Sequence, residues 1–320
     1  MLVVEILLVA VAFGFAVSMG AHYTGACMGM PRAAGAIRTG PALLVMAPLV
    51  LLGALLASHG VVATVGHAIL QTPTVALGTA VAIVGAAFLL TSTYNFLTLP
   101  TSTIQILVFS AIGAGFADGI AIDWRTIGDL VVLWAVAPFA ACGLAALFVW
   151  VGDRWRPAPA NALGPRAVAG LVAVGMAASF AMGANDVANA SGAFVMTGLF
   201  PVLTAVAIGG VGLALGVLTW GRPLLEKVAF KVVRLDARTA TSCQLAQSVV
   251  ILVSVAFGLF TSMNQALVGA MIGAGLIRGG TTALGKPVRD ILLGWALGPT
   301  SGLALGFAFA VLATRAIPGA

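Results

Sequence analysis

Apolar runs long enough to cross a lipid bilayer recur along the whole chain, and their order repeats. Opening runs at residues 2–19 and 167–182 each end in a polar stretch rich in small residues. Runs at 41–58 and 203–220 follow; then come paired runs, 74–98 with 103–117 and 241–260 with 264–277, and closing runs at 127–151 and 290–313. A helix needs roughly 20 apolar residues to cross the hydrocarbon, so the opening, second and closing runs read as spanning helices, the opening one broken at its polar stretch. The second member of each pair has only 15 or 14 residues and joins the first through a short polar tip, so each pair reads as a re-entrant helical hairpin.

The landmarks recur about 160 residues apart. Gly20-Ala21 matches Gly183-Ala184, Thr101-Ser102 matches Thr261-Ser262, Gln105 matches Gln265, IGAG at 112–115 matches IGAG at 272–275, and WAVAP at 134–138 matches WALGP at 295–299. The chain is read as an all-α polytopic membrane protein built from a tandem repeat, residues 1–160 and 161–320. Each half has three spanning helices and one hairpin. Three is odd, so the second half is inverted relative to the first, and hairpins entering from opposite faces can meet at their tips.

Charge supports that arrangement. With the N-terminus outside, one face receives Arg32, Arg38, Arg154, Arg156, Arg166, Arg222, Lys227, Lys231, Arg234, Arg238, Arg278, Lys286 and Arg289, and the other only Arg125 and Arg315. Thirteen against two is a positive-inside bias that puts both termini outside a cytoplasmic membrane. The net charge of +6 then reflects loops facing anionic lipid, and nucleic-acid binding need not be invoked. With 61% hydrophobic and 8% charged residues, an ordinary soluble domain is excluded. The first twenty residues lack a basic leader region and carry Glu5, so they read as a retained helix. Cys27, Cys142 and Cys243 are odd in number and widely spaced, which points to neither a disulfide framework nor a metal site. His59 and His67 read as solvated loop residues.

Candidate chemistry lies in the polar stretches. GANDVANASG at 183–192 places Asn185, Asp186, Asn189 and Ser191 inside an apolar run, where a charge costs at least a few kcal/mol and marks a functional site by default. Its oxygens suit Na⁺, held by Asp186, Asn185 and Asn189 beside unwound backbone, or a proton on the carboxyl. The matching first-half stretch has His22, Tyr23 and Thr24, so the carboxylate is lost there. His22 with Tyr23 can donate hydrogen bonds, His22 can carry a proton, or the pair can simply pack. The tips LPTSTIQ (99–105) and LFTSMNQ (259–265) set Thr101, Ser102, Thr103 and Gln105, and Thr261, Ser262, Asn264 and Gln265, at the starts of short helices. Two opposed helix N-termini with hydroxyls can hold a dianion without Arg or Lys, whereas Ser alone can be a plain N-cap.

GANDVANASG, the second tip running into QALVGAMIGAGLIRG (265–279) and the inverted repeat together resemble the inorganic phosphate transporter (PiT) family over nearly the whole chain. Shortness and the degraded first motif make the chain most similar to the sulfate permease branch. Three departures stand out: the first motif is degenerate, Gln105 and Gln265 replace the usual tip His, and the large central hydrophilic loop is absent. The resemblance implies a cation-coupled secondary transporter, often dimeric, so a homodimer is an expectation. It assigns substrate to Ser102, Thr103 and Ser262, with Asn264 where a Thr is usual, and cation coupling to Asn185, Asp186 and Asn189. The reading is therefore import of sulfate first and phosphate second by alternating access, coupled to H⁺ or Na⁺, with no cofactor beyond a bound Na⁺. The rivals are a phosphate symporter and an uncoupled, channel-like facilitator. An enzyme is disfavoured because no nucleophile–base pair appears. Single cysteines at Ala63 and Ala158 should label from opposite sides of the membrane, Ala63 from outside; labelling from one side would refute the inversion.

Overall fold

The computed structural model describes residues 1–97, 99, 101–155, 164–227, 229, 236–278 and 286–316. Arg156, Lys231 and Arg234 of the charge bias, Ala158 of the labelling pair, Pro100 of the first tip, Gly279 and the boundary between 160 and 161 lie outside the described residues. Among the described residues twelve α-helices form: α1 (Leu2–His22), α2 (Thr24–Ala33), α3 (Thr39–Ala57), α4 (His59–His67), α5 (Leu77–Phe96), α6 (Thr103–Asp118), α7 (Trp124–Trp155), α8 (Pro165–Met196), α9 (Val202–Lys227), α10 (Ala237–Ala256), α11 (Met263–Ile277) and α12 (Lys286–Ala316). Among the described residues, eight helices, counting α1 with α2 as one, are long and apolar enough to cross a membrane. The chain is thus a polytopic helical membrane protein. Both first arms, α5 and α10, have 20 residues, whereas α6 and α11 have 16 and 15.

Local chemistry sets the ends of these helices. Asp123 accepts from the Arg125 and Thr126 N–H groups and starts α7, and Asp236 accepts from Arg238 and Thr239 to start α10. Gly119, at φ 67°, closes α6 in a left-handed turn that favours glycine.

Two expectations need correction. The opening helix breaks in the first half, at the single residue Tyr23, but α8 runs without interruption through GANDVANASG. The reason is that the amide of Asn185 reaches its partners from a regular helix, so no backbone group has to be freed. The segment carrying His59 and His67 is helix α4 rather than loop, because Val61, Val62 and Val65 are buried, α4 packing against α8, while both His stay exposed. The closing helices also outrun their apolar cores: α7 has 32 residues, about 48 Å at 1.5 Å per residue, against a hydrocarbon thickness of about 30 Å.

Packing partners are equivalent between the halves. α1 packs on α9 as α8 packs on α3; α1 touches α5 as α8 touches α10; α6 lies on α12 as α11 lies on α7. Glycines permit the closest crossings. A Cβ on Gly20 would lie 2.0 Å from the Leu213 carbonyl oxygen and one on Gly216 1.9 Å from that of Val17; on the equivalent crossing, Gly183 would meet Val50 at 1.9 Å and Gly53 would meet Phe180 at 2.0 Å. Backbone oxygens cannot swing aside, so the crossings are fixed by glycine, as is common between helices in lipid. Gly183→Ala should therefore destabilise the protein by at least the roughly 1–3 kcal/mol of ordinary overpacking. Gly143→Ala, where the added methyl meets nothing within 4 Å, should leave it unchanged or slightly more stable. Thermal unfolding of both variants in one detergent checks the contrast.

Candidate functional site

Each tip presents a helix N-terminus. Ser102 Oγ accepts from the Gln105 N–H at 3.4 Å and Ser262 Oγ from the Gln265 N–H at 3.4 Å, so both serines are N-caps, and at that length weak ones. Beside them, Thr101 and Thr261 are fully buried, and their hydroxyl oxygens have no hydrogen-bond partner among the described residues. The side-chain oxygens of Gln105 and Gln265 are in the same condition. One orphaned buried polar group costs about 1–3 kcal/mol. The same orphans at equivalent positions of both tips are hard to explain by caps alone and point to a ligand.

The tips touch. Asn264 Nδ2 donates to the Thr101 carbonyl at 2.9 Å, bridging the second tip to the first. Each tip is also held by its opening helix at the equivalent atom. His22 Nε2 lies 3.2 Å from the Thr101 carbonyl, and Asn185 Nδ2 donates to the Thr261 carbonyl at 2.9 Å while its Oδ1 accepts from the Thr261 N–H at 3.1 Å. His22 thus stands where Asn185 stands. Its Nδ1 is 2.5 Å from Asn95 Oδ1, and the Asn95 amide donates to the Ser18 carbonyl at 2.8 Å, which orients the oxygen toward the ring and puts a proton on Nδ1. Nε2 then faces two partners it cannot serve at once. A neutral ring accepts from Asn264 Nδ2 at 3.4 Å, and a doubly protonated ring donates to Thr101. Tyr23 closes the first-half cluster, its hydroxyl 2.9 Å from Thr103 Oγ1.

On α8, Asp186 follows Asn185 and is the one Asp, Glu, Lys or Arg that is buried among the described residues. Asp186 Oδ2 accepts from Asn185 Nδ2 at 3.2 Å, while Oδ1 has no partner among the described residues. Asn189 Oδ1 is likewise without one, its amide directed to Met19 Sδ at 3.4 Å. Residues three apart share a helix face, so two oxygens without partners among the described residues, one a carboxyl and one an amide oxygen, lie on one side of α8. That donor set, a carboxylate with amide oxygens, suits a hard monovalent cation or a proton. Two expected site residues turn elsewhere. Ser191 Oγ donates to the Val187 carbonyl of its own helix at 2.8 Å, and Thr24 Oγ1 bonds the Ala21 and Gly221 carbonyls at 2.9 and 2.8 Å, tying α2 to α9.

Sequence reasoning passed over Asn95, Gln244 and Gln247. Gln247 Nε2 donates to the Met263 carbonyl at the second tip at 3.1 Å, and Gln244 Nε2 donates both to Gln247 and, at 2.8 Å, to the Ala26 carbonyl. The available signal was polar residues inside apolar hairpin arms, a Gln-x-x-Gln on one face of α10 and an Asn just before the first tip. Behind the tips, Gln105 and Gln265 also reach a cleft of about 570 Å³, lined symmetrically by Trp134 with Trp295 and Pro138 with Pro299. The indole of Trp134 donates to the Phe260 carbonyl at 3.0 Å and braces the second tip.

The model of the Phosphate transporter family matches residues 19–306. The sulfate permease CysP of Bacillus subtilis (strain 168) is 28% identical over 306 residues, covering 94% of this chain and 86% of that protein. A putative phosphate permease of Pyrococcus horikoshii is 36% identical over 146 residues, 42% of this chain and 36% of its own length. A solved structure titled "The sodium-dependent phosphate transporter" superposes with a TM-score of 0.84 at 20% identity, covering 98% of this chain and all of the other, and so shares the fold. With its helical membrane architecture and a family match over most of its length, the chain belongs to the phosphate transporter family, whose members are integral membrane transporters.

Proposed function

We propose that the chain is a secondary active transporter that imports a tetrahedral oxyanion, sulfate ahead of phosphate, by alternating access coupled to Na⁺ or H⁺. The observation that carries this reading is the pair of touching helix N-termini, each with a buried orphan Thr hydroxyl and a weakly engaged Ser cap, in a region where no Lys or Arg is buried among the described residues. Hydroxyls and the free N–H groups of helix N-termini stabilise a dianion by charge-assisted hydrogen bonds and helix dipoles. Asp186 with Asn185 and Asn189 supplies the coupling site. Na⁺ would sit among their oxygens; in a proton-driven cycle the Asp186 carboxyl and His22 Nε2 are the titrating groups. In the same reading the halves, 1–160 and 161–320, are inverted repeats, the hairpins are re-entrant from opposite faces, and both termini lie outside a cytoplasmic membrane. Equivalent packing partners and the charge bias support that arrangement.

Sulfate is ranked first on chemical grounds. Near neutral pH it only accepts hydrogen bonds, and a site of N-termini and hydroxyls serves it completely. Phosphate keeps at least one O–H, and leaving that donor buried and unpaired costs about 1–3 kcal/mol, roughly tenfold to hundredfold in selectivity. One observation favours the phosphate reading: the carbonyl oxygens of Gln105 and Gln265 are unpartnered acceptors beside the tips.

Three measurements separate these readings. Unlabelled phosphate should displace labelled sulfate at least tenfold more weakly than sulfate does; equal displacement makes the protein a phosphate carrier. Ser102→Ala and Ser262→Ala should each weaken binding by roughly 1–3 kcal/mol, and the double variant should be nearly inactive. Unchanged affinity in both would leave backbone N–H groups as the whole site. Asp186→Asn, at wild-type protein level, should suppress gradient-driven uptake far more than sulfate exchange, because coupling is a free energy shared between two sites. Intact driven uptake in this variant removes Asp186 from the coupling role.

A further inference from the structure

A second concave site lies at the helix ends, apart from the tips. α2 brings Arg32, the start of α3 brings Arg38, Thr39, Gly40 and Leu43, and the last turns of α9 bring Arg222 and Glu226 to line a cavity of about 420 Å³. Three guanidinium groups share this cavity with one carboxylate. Arg222 Nε donates to Glu226 Oε1 at 3.1 Å, Arg32 Nε donates to the Thr39 hydroxyl at 3.0 Å, and Thr39 donates onward to the same Glu226 oxygen at 3.3 Å. The one carboxylate among the described lining residues is thus already engaged within the lining, and those residues together carry a formal charge of +2. Guanidinium planes match phosphate oxygens in a fork geometry, and basic pockets between membrane helices bind anionic lipid headgroups.

The surface next to the cavity indicates which phosphate. Gly40 has no side chain, and a Cβ there would meet nothing within 4 Å, so the cavity stays open on that side. Four residues along the same face of α3, Leu44 is 67% exposed; four residues before Arg222 on α9, Leu218 is 44% exposed. α3 and α9 pack against each other, so the basic cavity has an apolar strip on both of the helices that build it. A free oxyanion has no use for that strip, whereas a molecule with an anionic head and an apolar tail fits both parts. We propose that this cavity binds the headgroup phosphate of an anionic phospholipid, with its acyl chains lying along Leu44 and Leu218.

The test uses the full-length protein, purified in neutral detergent and examined by native mass spectrometry with phosphatidylglycerol or phosphatidylcholine added. Phosphatidylglycerol should be retained on the order of tenfold better, and the preference should fall to the phosphatidylcholine level in Arg32→Gln/Arg38→Gln. Gly40→Phe, which fills the cavity and keeps every arginine, should do the same and decides the matter if the double variant does not fold. Equal retention of the two lipids, or a preference that survives in Gly40→Phe, overturns the proposal. Displacement of phosphatidylglycerol by inorganic phosphate or sulfate overturns it as well, because the cavity would then take a free oxyanion. The readout is bound lipid rather than transport, so failure of the transport reading leaves it unaffected.

Discussion

The structure turns on side-chain amides and a histidine that hold two carbonyl groups, those of Thr101 and Thr261, in an interior with almost no charge. Short helices that begin inside an apolar protein bring N–H groups and loop carbonyls where water does not satisfy them, and each such group left alone costs more than most single packing contacts contribute. Asn185 clamps the second tip through both its oxygen and its nitrogen; His22 and Asn264 converge on the first. The glycine crossings that bring α8 onto α3 and α1 onto α9 place the helices carrying Asn185 and His22 close enough to reach the tips. Once the carbonyls are satisfied from the side, the N–H groups that open α6 and α11 remain beside the contact between the tips, where the proposed function puts the oxyanion.

Symmetry sets the frame, and the two halves spend it differently. Asn185 and His22 do the same job at equivalent positions, but the next residue is Asp186 in one half and Tyr23 in the other. Tyr23 is engaged with Thr103, whereas one oxygen of Asp186 is left without a partner. The first half therefore engages its polar pair in holding the tip, whereas the second holds its tip and keeps one carboxyl oxygen without a partner among the described residues, the oxygen to which the proposed function assigns a cation or proton.

Much of this was legible in the sequence because hydropathy and repetition are strong signals in membrane proteins. The order of spans, the paired tips, the short lengths of α6 and α11, and the correspondence of His22 with Asn185 followed from periodicity and offset alone. The continuity of α8 did not, since Gly, Asn and Ser in lipid suggest unwinding and only the three-dimensional reach of Asn185 shows it unnecessary. Helix α4 was hidden by its short length and flanking His residues. Asn95, Gln244 and Gln247 were missed because they lie within the apolar hairpin arms rather than at the tips, and nothing in one dimension says that Gln247 ends beside Met263 or Asn95 beside His22. Thr24 and Ser191 show the converse: they lie close in sequence to the proposed site residues, yet their hydroxyls turn to backbone carbonyls.

The most direct test of the account is uptake of labelled sulfate by proteoliposomes containing the purified protein, begun at equal sulfate on both sides and driven by an inward Na⁺ or proton gradient. A carrier with an oxyanion held between its tips and a cation or proton at Asp186 accumulates sulfate above the external concentration and loses the excess when the gradient collapses. Equilibration without accumulation under either gradient would contradict it and identify an uncoupled pathway.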